Sequence, residues 1–166
     1  MRRLLSFVIA AALVTVCGVR VVAQGSAHLN TVVEKLSHGE RVYGVSTYDL
    51  SLENARSLAR ADIDYVYVDM EHGPMDFTAL QNFLLGMTDK GAIAESGSLA
   101  SKVTPLARIA PYGRESAAWA VKQALDIGLM GLIFPSIETP EQALAAVRAM
   151  RYPQRRDSRY PQPAGL

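Results

Sequence analysis

The residues best suited to chemistry are Asp69, Glu71 and His72, which follow a β-branched and aromatic run at residues 65–68. Such a run is typical of a strand, and in parallel α/β folds the functional groups follow the carboxyl ends of strands. Because imidazole exchanges protons near neutral pH, His72 could be a general base or orient a water molecule. Its alternative role is a cap for the next helix or a hydrogen-bonded residue of the rim.

The carboxylates of Asp69 and Glu71 could bind a divalent metal. Taking successive polar residues to alternate between the two faces of the strand, we expect at most one of the two to face the site.

Arg108 is the second candidate, because it stands in the otherwise apolar segment Leu106-Ala107-Arg108-Ile109. An arginine in such a segment is costly to bury unless it meets an anion. Its planar fork suits a carboxylate or an enolate oxygen. The alternative is a structural ion pair with Asp69 or Glu71.

Asp126 is a third, weaker candidate. It is predicted in the last turn of a helix, where a negative charge opposes the helix dipole. A surface aspartate with a small cost in stability is the alternative explanation.

The elements that must position these residues are short β-rich runs that alternate with amphipathic helices, which predicts a parallel α/β sheet. After a leading helix at 30–37, we predict strands at 42–47, 65–68, 104–109 and 131–135, and helices at 51–60, 77–87, 114–127 and 140–150. Residues 90–102 lack a convincing period and are predicted to form a mobile loop. The fourth strand is predicted to be buried on both faces, since it is apolar after its glycine.

The first residues predict export. Arg2 and Arg3 precede an apolar run to Gly18, which is the length of a secretory signal core and is short for a membrane span. We expect residues 1–23 to be a signal peptide cleaved after Ala23, residues 24–166 to form one domain, and the product to be periplasmic or secreted, with no membrane association after cleavage. An uncleaved anchor is the alternative.

The numbers of basic and acidic residues, 17 and 16, nearly balance. The sequence therefore lacks the concentrated positive charge that is typical of nucleic-acid-binding proteins.

Several blocks of the sequence together resemble the HpcH/HpaI aldolase and citrate lyase family. The resemblance extends over roughly residues 30–166, and its blocks are Asp69 to Asp76, Arg108, Val121 to Gly128, Gly131 to Pro135 and Arg151-Tyr152-Pro153. It implies a TIM (β/α)8 barrel, of which we expect this chain to carry about four βα units.

The resemblance also implies an activity, the reversible aldol cleavage of a 4-hydroxy-2-oxo acid to pyruvate and an aldehyde with a divalent metal, magnesium, manganese or cobalt. His72 matches the histidine tied to proton transfer, Arg108 the arginine that stabilises the enolate and carbonyl oxygens, and Asp126 the acidic partner of the histidine. The glutamate and aspartate that bind the metal in the family are expected beyond Leu166.

The helix that ends at Asp126 should place this residue at the opposite end of the barrel from His72, so the two would pair only across a subunit boundary. We therefore expect a homo-oligomer. The alternatives to an aldolase are a catalytically inactive fragment and an exported protein that binds oxo acids without turnover.

Overall fold

A computed structural model describes residues 28–110, 118–152 and 157 of the 166-residue chain. Its elements, in chain order, are α1 (Thr31–Ser37), β1 (Gly44–Thr47), α2 (Leu52–Arg60), β2 (Tyr65–Asp69), α3 (Phe77–Met87), α4 (Lys90–Ser96), β3 (Thr104–Arg108), α5 (Ala118–Asp126), β4 (Leu132–Ile133) and α6 (Pro140–Ala149). Among the described residues, none of the helices has the length and apolarity needed to cross a membrane. The proposed signal segment, residues 1–23, lies outside the described residues.

The sheet has four parallel strands in the order β1-β2-β3-β4. Each strand is followed by at least one helix before the next, so the chain moves along the sheet one βα unit at a time. This is the parallel α/β arrangement predicted from the alternation of β-rich and amphipathic segments. All four strands therefore end at one edge of the sheet, which we call the carboxyl edge, and begin at the other, the amino edge.

The core lies between the sheet and helices α2 and α3. Val66 and Val68 of β2 point into it, as do Leu80 and Phe83 of α3, and all four are buried. Burying a side chain of this size contributes roughly 1.5–3 kcal/mol. Gly86 lets the two helices approach closely, because a Cβ there would lie 2.8 Å from the Cβ of Ala55.

Several helix boundaries follow the capping signals in the sequence. Ser51 accepts a hydrogen bond from the backbone N–H of Asn54 and begins α2. Thr139 and Gln142 form a capping box at the start of α6. Gly128 has φ of 108°, the conformation expected of a glycine just after a helix end.

Two predictions about the elements were wrong. The segment predicted as a loop at 90–102 contains α4, which begins because Asp89 accepts hydrogen bonds from the N–H groups of Gly91 and Ala92 and ends at Gly97, with φ of 65°. The strand predicted at 131–135 is reduced to Leu132–Ile133, and both residues are half-buried because β4 is an edge strand with one neighbour. Of the helix predicted at 114–127, residues 114–117 lie outside the described part and the rest forms α5.

Candidate active site

The candidate site forms where β2 and β3 end side by side at the carboxyl edge. Asp69 and Arg108 are the last residues of their strands, and they are partners in the parallel register. Partners in a sheet present their side chains on the same face, so the carboxylate and the guanidinium meet there.

Arg108 makes contacts with two carboxylates. Its Nε donates to Asp69 Oδ1 at 3.0 Å, its Nη2 donates to Asp69 Oδ2 at 2.5 Å, and its Nη1 lies 3.0 Å from Glu71 Oε2. The guanidinium carbon is 5.8 Å from the centroid of the Tyr67 ring. The side chain of Arg108 is 25% exposed, so it pairs with both acids without being sealed from solvent.

Asp69 is the centre of this network. Its side chain is only 1% exposed, and besides Arg108 it accepts hydrogen bonds from the hydroxyl of Tyr48 at 2.8 Å and from the backbone N–H groups of Glu71 at 3.1 Å and His72 at 3.3 Å. The hydrogen bonds from Arg108 hold the pKa of the Asp69 carboxyl well below its usual range, against the opposing effect of burial, with further help from Tyr48 and the two backbone groups. Asp69 in turn raises the pKa of Arg108. Both groups are therefore charged at any physiological pH.

The expectation that at most one of Asp69 and Glu71 faces the site was wrong. Strand alternation places residues two positions apart on the same face, and Glu71 lies beyond the last residue of β2. The turn that follows the strand brings both carboxylates to one guanidinium. The ion pair considered as an alternative for Arg108 is thus present, and it is formed with both acids.

The network of Asp69, Glu71 and Arg108 has one more negative than positive charge when both acids are ionised. A guanidinium carries more N–H groups than these contacts use, so its Nη atoms keep donors for a further anion. An additional anion would still enter a site with excess negative charge, and it would bind better with another cation beside it.

His72 lies next to this network on the turn after β2. Its side chain is 63% exposed, and its Nε2 is 3.6 Å from Glu71 Oε2. Gly73 keeps this turn tight, because a Cβ there would lie 2.5 Å from the carbonyl oxygen of Asp69 and 3.1 Å from Cδ1 of Tyr48. The imidazole is therefore at the rim, as predicted, within reach of a molecule bound at Arg108.

Asp126 is not part of this cluster. It is the exposed last residue of α5, and the helix ends at the amino edge, where β4 is about to begin. His72 lies at the carboxyl edge. Within one chain the structure separates the two, as the fold geometry led us to expect.

Sequence reasoning missed three residues of the carboxyl edge: Tyr48, Tyr67 and Ser136. Tyr48 directly follows β1, and the rule that function follows strand ends could have flagged it. Tyr67 reads as an ordinary strand residue, and only the register places its ring beside Arg108. Ser136, just after β4, has φ of 58°. Serine rarely adopts a positive φ, so its presence in the sequence does not predict this conformation.

A divalent metal does not fit the residues described here. Residues 28–110, 118–152 and 157 contain no group of three or more histidine, cysteine, aspartate or glutamate side chains arranged to hold a metal ion. The two acids of the candidate site, Asp69 and Glu71, both form ion pairs with Arg108.

Comparisons with known proteins agree on one family. A profile described as HpcH/HpaI aldolase/citrate lyase matches residues 50–163. A hydroxypyruvate/pyruvate aldolase of Roseobacter denitrificans is 32% identical over 127 residues, which cover 76% of this chain and 44% of that protein. A 4-hydroxy-4-methyl-2-oxoglutarate aldolase of Chaetomium globosum is 38% identical over 95 residues, which cover 57% of this chain and 30% of the other.

Solved structures place the fold in the same group. The crystal structure of an HpcH/HpaI aldolase/citrate lyase family protein from Burkholderia cenocepacia J2315 matches with a TM-score of 0.61 and 35% identity, over 75% of this chain and 44% of that one. The four βα units therefore correspond to part of a TIM-barrel-like aldolase fold. The chain spans less than half the length of these relatives.

Proposed function

Because the chain belongs to the HpcH/HpaI aldolase/citrate lyase family, we propose that it takes part in the reversible aldol cleavage of a 4-hydroxy-2-oxo acid, which yields pyruvate and an aldehyde. The observation that carries the proposal is the guanidinium of Arg108, held at the carboxyl edge by two carboxylates with His72 at its side. Curated relatives named as hydroxypyruvate/pyruvate and oxoglutarate aldolases support the substrate class.

In this proposal Arg108 binds the anionic end of the 2-oxo acid and stabilises the enolate that develops on it. Cleavage removes the proton of the C4 hydroxyl, the C3–C4 bond breaks, and its electron pair becomes part of the pyruvate enolate while C4 becomes the aldehyde carbon. Fixed donors aimed at developing negative charge lower the barrier because they need not reorganise during the reaction. Asp69 and Glu71 provide this fixation, since they hold the guanidinium from two sides.

His72 is proposed to accept the hydroxyl proton. Its exposed side chain next to Glu71 places a proton acceptor at the rim, where an incoming substrate would carry its hydroxyl group. Replacing His72 with alanine should then lower turnover, because the proton acceptor would be lost.

A divalent cation, magnesium, manganese or cobalt, is the cofactor we expect from the family, and when bound it would polarise the 2-oxo group as a Lewis acid. The described residues do not supply its ligands, so no step above depends on it. Calorimetric titration with manganese in the presence of pyruvate tests this point. Tight binding that is lost on Asp69→Asn or Glu71→Gln would show that these acids are ligands and not counter-ions of Arg108.

Asp126 is proposed to act on His72 of a neighbouring subunit in a homo-oligomer. Mixing two inactive variants, His72→Ala and Asp126→Ala, should restore part of the activity, because some interfaces would then combine an intact histidine with an intact aspartate. If the mixture stays as inactive as its parts, Asp126 is a surface residue.

Export is a further part of the proposal and rests on the basic and apolar pattern of residues 1–23. Sequencing the amino terminus of the product from fractionated cells should find a start at or near Gln24. A cytoplasmic product that begins at Met1 would contradict export.

The activity itself is tested by incubating the protein with a 4-hydroxy-2-oxo acid and manganese and following pyruvate with a coupled dehydrogenase. Release that depends on both Arg108 and His72 is expected. Calorimetric binding of oxalate without any pyruvate release would instead favour a protein that binds oxo acids without turnover, and neither binding nor release would favour an inactive fragment.

A further inference from the structure

Tyr48 belongs to the carboxyl edge but has no part in the mechanism above. It is the first residue after β1, and its hydroxyl crosses to β2 and donates to Oδ2 of Asp69 at 2.8 Å. Three strands thereby meet at one carboxylate: β1 through Tyr48, β2 through Asp69 itself and β3 through Arg108.

Each carboxylate oxygen of Asp69 accepts one hydrogen bond from Arg108 and at least one more from a neutral group. Oδ1 accepts from Nε of Arg108 and from the backbone N–H groups of Glu71 and His72, whereas Oδ2 accepts from Nη2 of Arg108 and from Tyr48. Without the phenol, Oδ2 would keep Arg108 as its only donor, in a side chain that is almost fully buried. The carboxylate could then rotate toward its remaining partners and take the guanidinium with it.

The ring of Tyr48 has a second contact, with the turn that carries His72. A Cβ on Gly73 would lie 3.1 Å from Cδ1 and 3.6 Å from Cε1 of Tyr48, so ring and turn are in close contact. Tyr48 therefore touches the support of Arg108 with its hydroxyl and the support of His72 with its ring.

We propose that Tyr48 is a positioning residue of this site. Its hydroxyl fixes Asp69, and Asp69 in turn fixes Arg108 so that the remaining N–H groups of the guanidinium are available to an anion. The proposal rests on the proposed function, because it assigns Tyr48 to the binding of the anion by Arg108. The hydrogen bond to Asp69 also raises the pKa of Tyr48, so the phenol stays protonated and remains a donor. The competing role is that the hydrogen bond only joins β1 to β2. It would then affect the stability of the fold without affecting the affinity for the anion.

Tyr48→Phe separates the two roles, because it keeps the ring against Gly73 and removes only the hydroxyl. The matched control is Tyr43→Phe, another exposed tyrosine near β1 but at its amino end. Two quantities are measured on the full chain without added metal: the exchange rate of the Arg108 Nε proton by NMR, and the dissociation constant of oxalate by calorimetry. Oxalate is a small dianion that resembles the enolate of pyruvate.

In Tyr48→Phe we expect faster exchange of the Arg108 proton and about tenfold weaker oxalate binding, the loss associated with one hydrogen bond to a charged group. Tyr43→Phe should match the parent in both. If Tyr48→Phe leaves the exchange rate and the oxalate affinity unchanged, even with a lower melting temperature, Tyr48 only joins β1 to β2 and the proposal is overturned.

The failure of the proposed function has a different signature. If the parent chain does not bind oxalate, the proposed function is contradicted, and the role of Tyr48 in anion binding is overturned with it. If the parent binds oxalate and Tyr48→Phe binds it equally well, only the role of Tyr48 is overturned.

Discussion

The two edges of the sheet both carry ion pairs, but they are built differently. At the amino edge, Lys35 pairs with Asp64 and Arg60 pairs with Asp89, one cation to one anion, and the Arg60 side chain is 72% exposed. At the carboxyl edge, one guanidinium meets two carboxylates, a phenol donates to one of them, and Asp69 is buried.

The two edges hold their charged groups in different ways. Each pair at the amino edge is electrically neutral and its cation is exposed, so the pair contributes little to stability. A network with excess negative charge and a partly open arginine is a poor design for stability, because the acids repel each other, yet it holds a cation donor in a fixed direction. The arrangement at the carboxyl edge supports the proposed binding of an anion by Arg108.

The largest effect is expected from removing the buried acid. Asp69→Ala leaves Arg108 without its bidentate partner and the phenol of Tyr48 without an acceptor. Breaking a buried ion pair in this way costs on the order of 3 kcal/mol. Urea unfolding would measure it. The control is Asp64→Ala at the amino edge, which should cost much less, and equal losses would remove the distinction between the edges.

A smaller loss of stability is expected when the turn that carries His72 is widened. Gly73→Ala would force a Cβ to within 2.5 Å of the carbonyl oxygen of Asp69 and should destabilise the fold by about 1–3 kcal/mol. The control is Gly91→Ala in α4 near the amino edge, where the new Cβ meets only Oδ1 of Asp89, at 3.3 Å. A glycine-to-alanine change inside a helix should be neutral or stabilising. The comparison fails if both variants unfold at the same urea concentration.

Acid should weaken the carboxyl edge in a defined direction. The folded-state pKa of Asp69 lies below its unfolded value of about 4, so its contribution is fully present above that value and is lost as the pH falls below it. The difference in unfolding free energy between the parent and Asp69→Asn should therefore shrink from roughly pH 5 to pH 2. A difference that stays constant across this range would mean that the charge of Asp69 does not stabilise the fold.

The smallest effect is expected at Lys35. Its pair with Asp64 lies at the surface, so Lys35→Met should shift the melting temperature by no more than about 2 °C, and raising the salt concentration should reduce even that shift. Differential scanning calorimetry at two salt concentrations measures both. A large, salt-independent shift would show that the amino edge depends on its ion pairs as strongly as the carboxyl edge.

The sequence was most informative where local rules decide the structure. The helix predicted at 140–150 begins at Pro140 as expected, because its start is set by the neighbouring residues Thr139 and Gln142. The helix α4 was missed because its signal is one aspartate cap in a stretch of small residues, with no apolar period. The hydrogen bond from Tyr48 to Asp69 was not predicted, because it depends on strand register, which joins residues far apart in the chain and leaves no local pattern.

If Arg108 stabilises the developing enolate, as proposed, replacing it with lysine should impair turnover. Lysine keeps the charge but loses the planar fork that fits two carboxylates and an anion at once. For pyruvate release from a 4-hydroxy-2-oxo acid, we predict that Arg108→Lys lowers kcat by on the order of 100-fold or more and changes KM much less, while the control Lys35→Met leaves both unchanged. A kcat within a few-fold of the parent would show that Arg108 serves only its ion pairs with Asp69 and Glu71 and does not stabilise the enolate.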